Sequence, residues 1–96
     1  MKPSARLNEN REAIRAAAAR NRTANPRVFG SVLRGEDRED SDPDVLMDAL
    51  PDTSLFDLGG LNEELEALLG IRVEVRIPGD LPPKWRDRVV AEAQPI

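Results

Sequence analysis

Three places in the chain carry side chains suited to phosphoryl chemistry: Gly30-Ser31, Asp42-Pro43-Asp44 and Glu74. Glycine lets a phosphate approach the backbone, the free N–H groups of a helix start would face it, and the Ser31 hydroxyl adds one more donor. Asp42 and Asp44 stand two apart at the head of an apolar stretch, where the two-residue period of a strand turns both carboxylates to one face. Carboxylates that share a face repel unless a cation lies between them, which is how hard, oxygen-seeking Mg2+ is held beside phosphates. Glu74 sits mid-way along Ile71-Arg72-Val73-Glu74-Val75-Arg76-Ile77. Strict alternation there predicts a half-buried strand with Glu74 on its polar face. If that strand neighbours the one behind Asp44, the three carboxylates converge on one face of a sheet. Each signal alone has a plainer reading. A Gly-Ser pair makes tight turns, an Asp-x-Asp pair is solvated loop charge, and Glu74 is an outer-face residue flanked by Arg72 and Arg76.

Composition closes off most other chemistry. The chain has no histidine and no cysteine. Disulfides, thiol nucleophiles, Cys/His zinc sites and a Ser-His-Asp triad are therefore excluded. A calcium hand fails on register. Asp40-Ser41-Asp42-Pro43-Asp44 imitates its first ligands, but Val45 stands where glycine is needed and Pro51 where the closing glutamate is needed.

The elements that must position these residues are legible in outline. Residues 5–21 predict one helix, with Leu7, Ile14, Ala17 and Ala18 near one face, broken by Asn25-Pro26. Arg27-Val28-Phe29 predicts a short strand cut by Gly30, and Ser31–Leu33 a brief helix stopped at Gly35. Val45-Leu46-Met47 predicts a second strand. Ser54 and Asp57 have capping-box spacing, and a leucine repeat runs on to Leu69 before Gly70. Gly59-Gly60 divides that run into two expected pieces. Asp80 is placed to cap a last helix opening at Pro82-Pro83, with Trp85, Val89 and Ala93 inside. The expected fold is a single α+β (α/β) domain over residues 1–96, with a short mixed sheet of about three strands flanked by about four helices.

Charge is unevenly spread. Of the net −4, residues 36–44 contribute six acids and one base, whereas residues 1–29 hold seven bases and two acids. Within the acidic segment only Asp42 and Asp44 have an expected chemical role, leaving Glu36, Asp37, Glu39 and Asp40 as solvated surface. The arginines of the first helix face a partner or solvent. Direct nucleic-acid binding is not expected of an acidic chain with 3% aromatic residues. No segment is long and apolar enough to span a membrane, no signal peptide is evident, and a cytoplasmic location is expected.

Taken together, Phe29-Gly30-Ser31, Arg34-Gly35 and Ser41-Asp42-x-Asp44 resemble the signature of polymerase-β-type nucleotidyltransferases, and more closely that of the minimal nucleotidyltransferases. The resemblance runs on through Leu68-Leu69-Gly70, Val73-Glu74-Val75 and Leu81–Ile96. Three departures stand out. Val32 and Leu33 replace small or basic residues, Pro43 replaces a branched apolar residue, and Glu74 stands where the family more often has aspartate.

The resemblance implies a polymerase-β-like fold and a function. Such proteins are antitoxins of HEPN-domain toxins, which are small helical ribonucleases, and they transfer AMP from ATP to a toxin tyrosine with release of pyrophosphate. It implies two Mg2+ ions about 3.5–4 Å apart. Asp42, Asp44 and Glu74 would be the catalytic metal ligands, with Glu74 also helping to remove the hydroxyl proton. Gly30 and Ser31 would hold the triphosphate, and Arg34 would touch a phosphate or brace the loop. The small size suggests a hetero-oligomer in which the partner completes the acceptor site. Two rival readings follow from the same residues: an antitoxin that acts by occlusion, with a metal site degraded by Pro43 and Glu74, and an adenylyltransferase for a small-molecule acceptor.

Overall fold

In the computed structural model, which describes residues 1–96, the chain runs α1 (Pro3–Glu9), α2 (Arg11–Arg20), β1 (Thr23–Phe29), β2 (Asp44–Ala49), α3 (Leu55–Leu69), β3 (Glu74–Arg76), a 3-10 turn (Pro78–Asp80), α4 (Pro83–Glu92) and β4 (Gln94–Pro95). The expected first helix is two helices. Asn10 leaves helical geometry (φ −122°, ψ 21°), and its side-chain amide donates to Arg6 O at 2.8 Å. A short polar side chain competing for backbone groups is a common way to break a helix.

By contrast, α3 is one helix of 15 residues that passes straight through Gly59-Gly60. Its Leu61, Leu65 and Leu69 are buried, and that stripe outweighs two glycine penalties of about 1 kcal/mol each. The helix opens on the expected capping box between Ser54 and Asp57 and closes on Gly70 in the left-handed region.

The sheet has four strands in the order β3-β2-β1-β4, one more than expected. β1 pairs antiparallel with both β2 and β4, and β2 pairs parallel with β3. The extra strand, Gln94-Pro95, is too short to leave a pattern, and its proline suits it to an edge. Val45, Leu46 and Met47 of β2 are all fully buried because both faces of this strand are covered. Val45 and Met47 join Ile14, Ala17, Leu61 and Leu65 in the main core, while Leu46 packs with Leu81 and Ala93 on the other side.

That second side is thinly covered. α4 contains no buried residue. Trp85, expected inside, is 52% exposed. Asp80 does not cap α4. Its carboxylate instead accepts the Ile77 N–H at the preceding 3-10 turn (3.4 Å), and Pro82 occupies the cap position.

The N-terminal arginines are used within the chain. Arg6 and Arg15 donate to the carbonyls of Leu69 and Ile96, at 2.8 and 2.9 Å. Arg20, Arg22 and Arg27 pair with Glu64, Asp52 and Asp48. The basic first third therefore answers acids of the later chain, at the modest energies typical of surface pairs. Asp37 corrects the expectation of a solvated acidic loop. It is only 5% exposed and accepts the Ser4 N–H of α1 at 3.0 Å. Burial alone would raise its carboxyl, but the hydrogen bonds at Ser4 and the Lys2 charge hold it below the usual range.

Two glycines of α3 should respond in opposite directions. Nothing lies within 4 Å of a β-carbon at Gly59, whereas Gly70 has φ +71°. Gly59→Ala should stabilise the chain by about 1 kcal/mol, and Gly70→Ala should destabilise it by about as much, as read by urea denaturation. Asp37→Ala should cost about 1–2 kcal/mol in the same assay, because it removes the acceptor at the start of α1.

Candidate active site

β1 delivers Phe29 to the edge of the site and stops, because Gly30 adopts φ +72°. The next residues close into one turn. Arg34 N donates to Gly30 O at 3.2 Å, Glu36 N to Ser31 O at 2.8 Å, and Gly35 (φ +70°) ends it. The brief helix expected at Ser31–Leu33 is thus a single turn. No protein acceptor takes the N–H of Ser31, Val32 or Leu33. Successive free donors on a turn of this kind form a concavity suited to an anion.

The register then stacks three residues side by side. Phe29 pairs with Asp44 across β1 and β2, and Asp44 pairs with Glu74 across β2 and β3. Partnered residues share a face, so Asp44 and Glu74 face the same side as Leu46, away from the main core. Gly30 lies against Asp44. A β-carbon there would run into Asp44 Oδ2, so glycine is required both by its φ and by the carboxylate beside it.

Asp44 is half-buried, and its pKa is raised from 3.8 to about 6. Desolvation is the largest cause, followed by the charge of Glu74 and a hydrogen bond with it. Arg76 and Arg34 oppose the shift. Arg76 also pairs with Glu74 at 3.3 Å. Two carboxylates held together at such an electrostatic cost are a donor set that a divalent cation would relieve, and their hard oxygens suit Mg2+.

Asp42 is exposed and lies just before β2. Buried Pro43 separates it from Asp44, and Pro43 O accepts the Glu74 N–H at 2.9 Å. Pro43 therefore fits the strand start, its missing donor falling ahead of the ladder. The convergence of all three carboxylates is not seen: no group of three acidic side chains is close enough to hold one ion. The structure brings together Gly30, Asp44 and Glu74 and leaves Asp42 at the rim.

Arg34 is exposed and pairs loosely with Glu36 at 3.3 Å, which is a bracing contact. It also borders a cleft of about 240 Å3 with Phe29, Gly30, Leu33, Val89 and Glu92. Sequence reasoning missed Arg76 and the α4 residues Val89 and Glu92. The alternation around Glu74 put Arg76 on its face and could have flagged it. The α4 residues reach the cleft through tertiary packing alone.

The family model described as nucleotidyltransferase domain matches residues 11–96. The chain belongs to this family. A solved structure described as a provisional minimal nucleotidyltransferase superposes with a TM-score of 0.85 and 43% identity, covering 94% of this chain and 92% of that one. A Thermococcus cleftensis relative named protein adenylyltransferase MntA is 50% identical over 54 residues, 56% of this chain and 54% of its own length. A Methanocaldococcus jannaschii relative, provisionally named a protein adenylyltransferase, is 41% identical over 66 residues, 69% of this chain and 71% of its own. The chain thus aligns with only about half the length of the first relative. The fold is the α+β nucleotidyltransferase domain, and no helix is long and apolar enough to cross a membrane.

The raised Asp44 pKa has a measurable consequence. In the folded chain without divalent cations, Asp44 holds a proton that the unfolded chain has already lost between pH 3.8 and about 6. Stability from this group therefore falls as pH rises through that window. Asp44→Asn should be indistinguishable from the parent in urea denaturation below pH 4 and more stable than it at pH 7. Equal stability at both pH values would show that Asp44 is not electrostatically stressed.

Proposed function

We propose that the chain is a protein adenylyltransferase that transfers AMP from ATP to a tyrosine hydroxyl of a HEPN-domain toxin. The observation that carries this reading is the Asp44–Glu74 pair, with Gly30 against Asp44 and the next three N–H groups, of Ser31, Val32 and Leu33, free. The names of the two archaeal relatives support the adenylyl group and a protein acceptor.

The roles follow from position. Ser31 and the neighbouring N–H groups bind the triphosphate as the turn closes around its oxygens. Asp44 and Glu74 would hold divalent cations, and Asp42 would add a ligand only by moving in from the rim. When bound, such cations would neutralise the triphosphate and the charge that develops on the leaving pyrophosphate. The tyrosine oxygen attacks the α-phosphorus, the bond from that phosphorus to the bridging oxygen breaks, and pyrophosphate leaves. Glu74 accepts the tyrosine proton as the new P–O bond forms. Arg76 steadies the Glu74 carboxylate, and Arg34 stands at the cleft edge where a phosphate would enter. The thin cover over this face of the sheet leaves room for a large acceptor, so the toxin itself completes the site in a hetero-oligomer.

Incubating the chain with α-labelled ATP, Mg2+ and the toxin should label the toxin on tyrosine. Asp44→Asn and Asp42→Asn should each lower the rate about a hundredfold or more while keeping the fold, since several kcal/mol of charge stabilisation are lost. Gly30→Ala should do the same by displacing the Asp44 carboxylate. Toxin silenced without label would instead establish neutralisation by occlusion. Label on a small molecule but never on the toxin would contradict the protein acceptor.

A further inference from the structure

The proposed chemistry leaves one buried charge unused. Of residues 33–42, which lead from the Gly30 turn towards β2, Asp37 alone is buried. A carboxylate is rarely buried unless it is bonded. Its bond crosses the chain, because the Ser4 N–H of α1 donates to Asp37 Oδ2 at 3.0 Å.

The two ends of that bond are held differently. α1 is anchored by other means: Pro3 and Leu7 are buried, Leu7 belongs to the main core, and Arg6 donates to Leu69 O. The loop has no such anchor. Apart from Gly35, residues 34–42 are all charged or, at Ser41, polar, so hydrophobic burial cannot place them. α1 is therefore the fixed post, and the acidic loop is what the bond tethers.

Beyond Asp37 the constraint passes along the backbone. Arg38 N donates to Ser41 Oγ at 2.9 Å, and Ser41 N to Arg38 O at 3.0 Å, which closes residues 38–41 into a compact turn. Pro43 is fully buried and gives its carbonyl to the Glu74 N–H at 2.9 Å. Exposed Asp42 is the one residue between the closed turn and the buried proline.

We infer that Asp37 is a positioning residue for Asp42. Anchored on the Ser4 N–H, it holds the 38–41 turn so that Asp42 stays at the rim of the Asp44–Glu74 pair, available to a divalent cation there. It touches no reacting group itself. The inference rests on the reading of that pair as a cation site and adds how the third carboxylate is kept near it. Without the tether the loop would have to be ordered each time a cation bound, and that entropy would weaken binding.

Mn2+ binding to the full chain, with no nucleotide or partner, tests this, with free Mn2+ read by electron paramagnetic resonance. Asp37→Ala should weaken binding about tenfold, whereas Asp37→Asn, which keeps an oxygen for the Ser4 N–H, should stay close to the parent. Asp42→Ala should also weaken it, and adding Asp37→Ala to that variant should cost nothing more. Ser41→Ala opens the turn without touching the core and should weaken binding about threefold. In the metal-free chain, amide relaxation should show fast motion at Arg38–Asp42 in Asp37→Ala but not in Asp37→Asn, with Val45–Met47 unchanged in both. Parent affinity in Asp37→Ala (or in Ser41→Ala, should the first variant not fold) would overturn the inference and leave the cation site standing. Losses that add in the double variant would do the same, since Asp37 would then act without Asp42. No Mn2+ binding by the parent chain would overturn both.

Discussion

The site depends on a like-charge contact that the sheet register imposes. Parallel pairing of β2 with β3 sets Asp44 beside Glu74, and Gly30 packs against Asp44. The backbone on both sides of the contact is held. Asp44 is fixed by its ladder partner Phe29 and by the buried run behind it, and Glu74 by the bond from its N–H to Pro43 O. Burial first, and then Glu74, raise the Asp44 pKa to about 6, so that it holds its proton to a higher pH than a free carboxylate, while Arg76 and Arg34 offset part of the shift. A site arranged in this way is poised for a multivalent cation, which would take the place of the proton.

The rest of the fold keeps that contact in place. β2 is buried on both faces, so its register cannot slip without turning Val45 and Met47 out of the main core. α3 is capped at both ends and puts its leucine stripe into the same core cluster as Val45 and Met47. Asp37 ties the acidic loop to α1 and so limits where Asp42 can travel. On the opposite face the structure is sparing. Leu46 has only Leu81 and Ala93 as buried neighbours, and α4 buries nothing fully. Stability is concentrated under the site and access is left above it, a division common where function needs an open surface.

Much of this was legible in the sequence because the signals were local. The capping box at Ser54, the left-handed glycine at Gly70 and the alternation around Glu74 each depend on residues a few positions apart. The signature from Gly30 to Asp44 gave the family, which the match over residues 11–96 bears out. What escaped was set by distant contacts. The burial of Asp37 depends on Ser4, 33 residues away. β4 exists because β1 offers it an edge, and Trp85 stays exposed because the cover on that face is thin. Gly59-Gly60 should have broken a helix, but tertiary burial of three leucines overrode propensity. Asp42 shows the limit most clearly: its spacing puts it on the face of Asp44, yet it lies ahead of the strand and remains at the rim.

Everything in the proposed chemistry rests on a cation site formed by Asp44 and Glu74 beside the Gly30 turn. Paramagnetic Mn2+ titrated into isotope-labelled chain tests it most directly, by the amide signals it broadens first. Signal should be lost first at Gly30–Val32, Asp42–Val45 and Glu74, and the loss should be abolished in Asp44→Asn. Broadening confined to Glu36–Asp40, or unchanged in that variant, would contradict it.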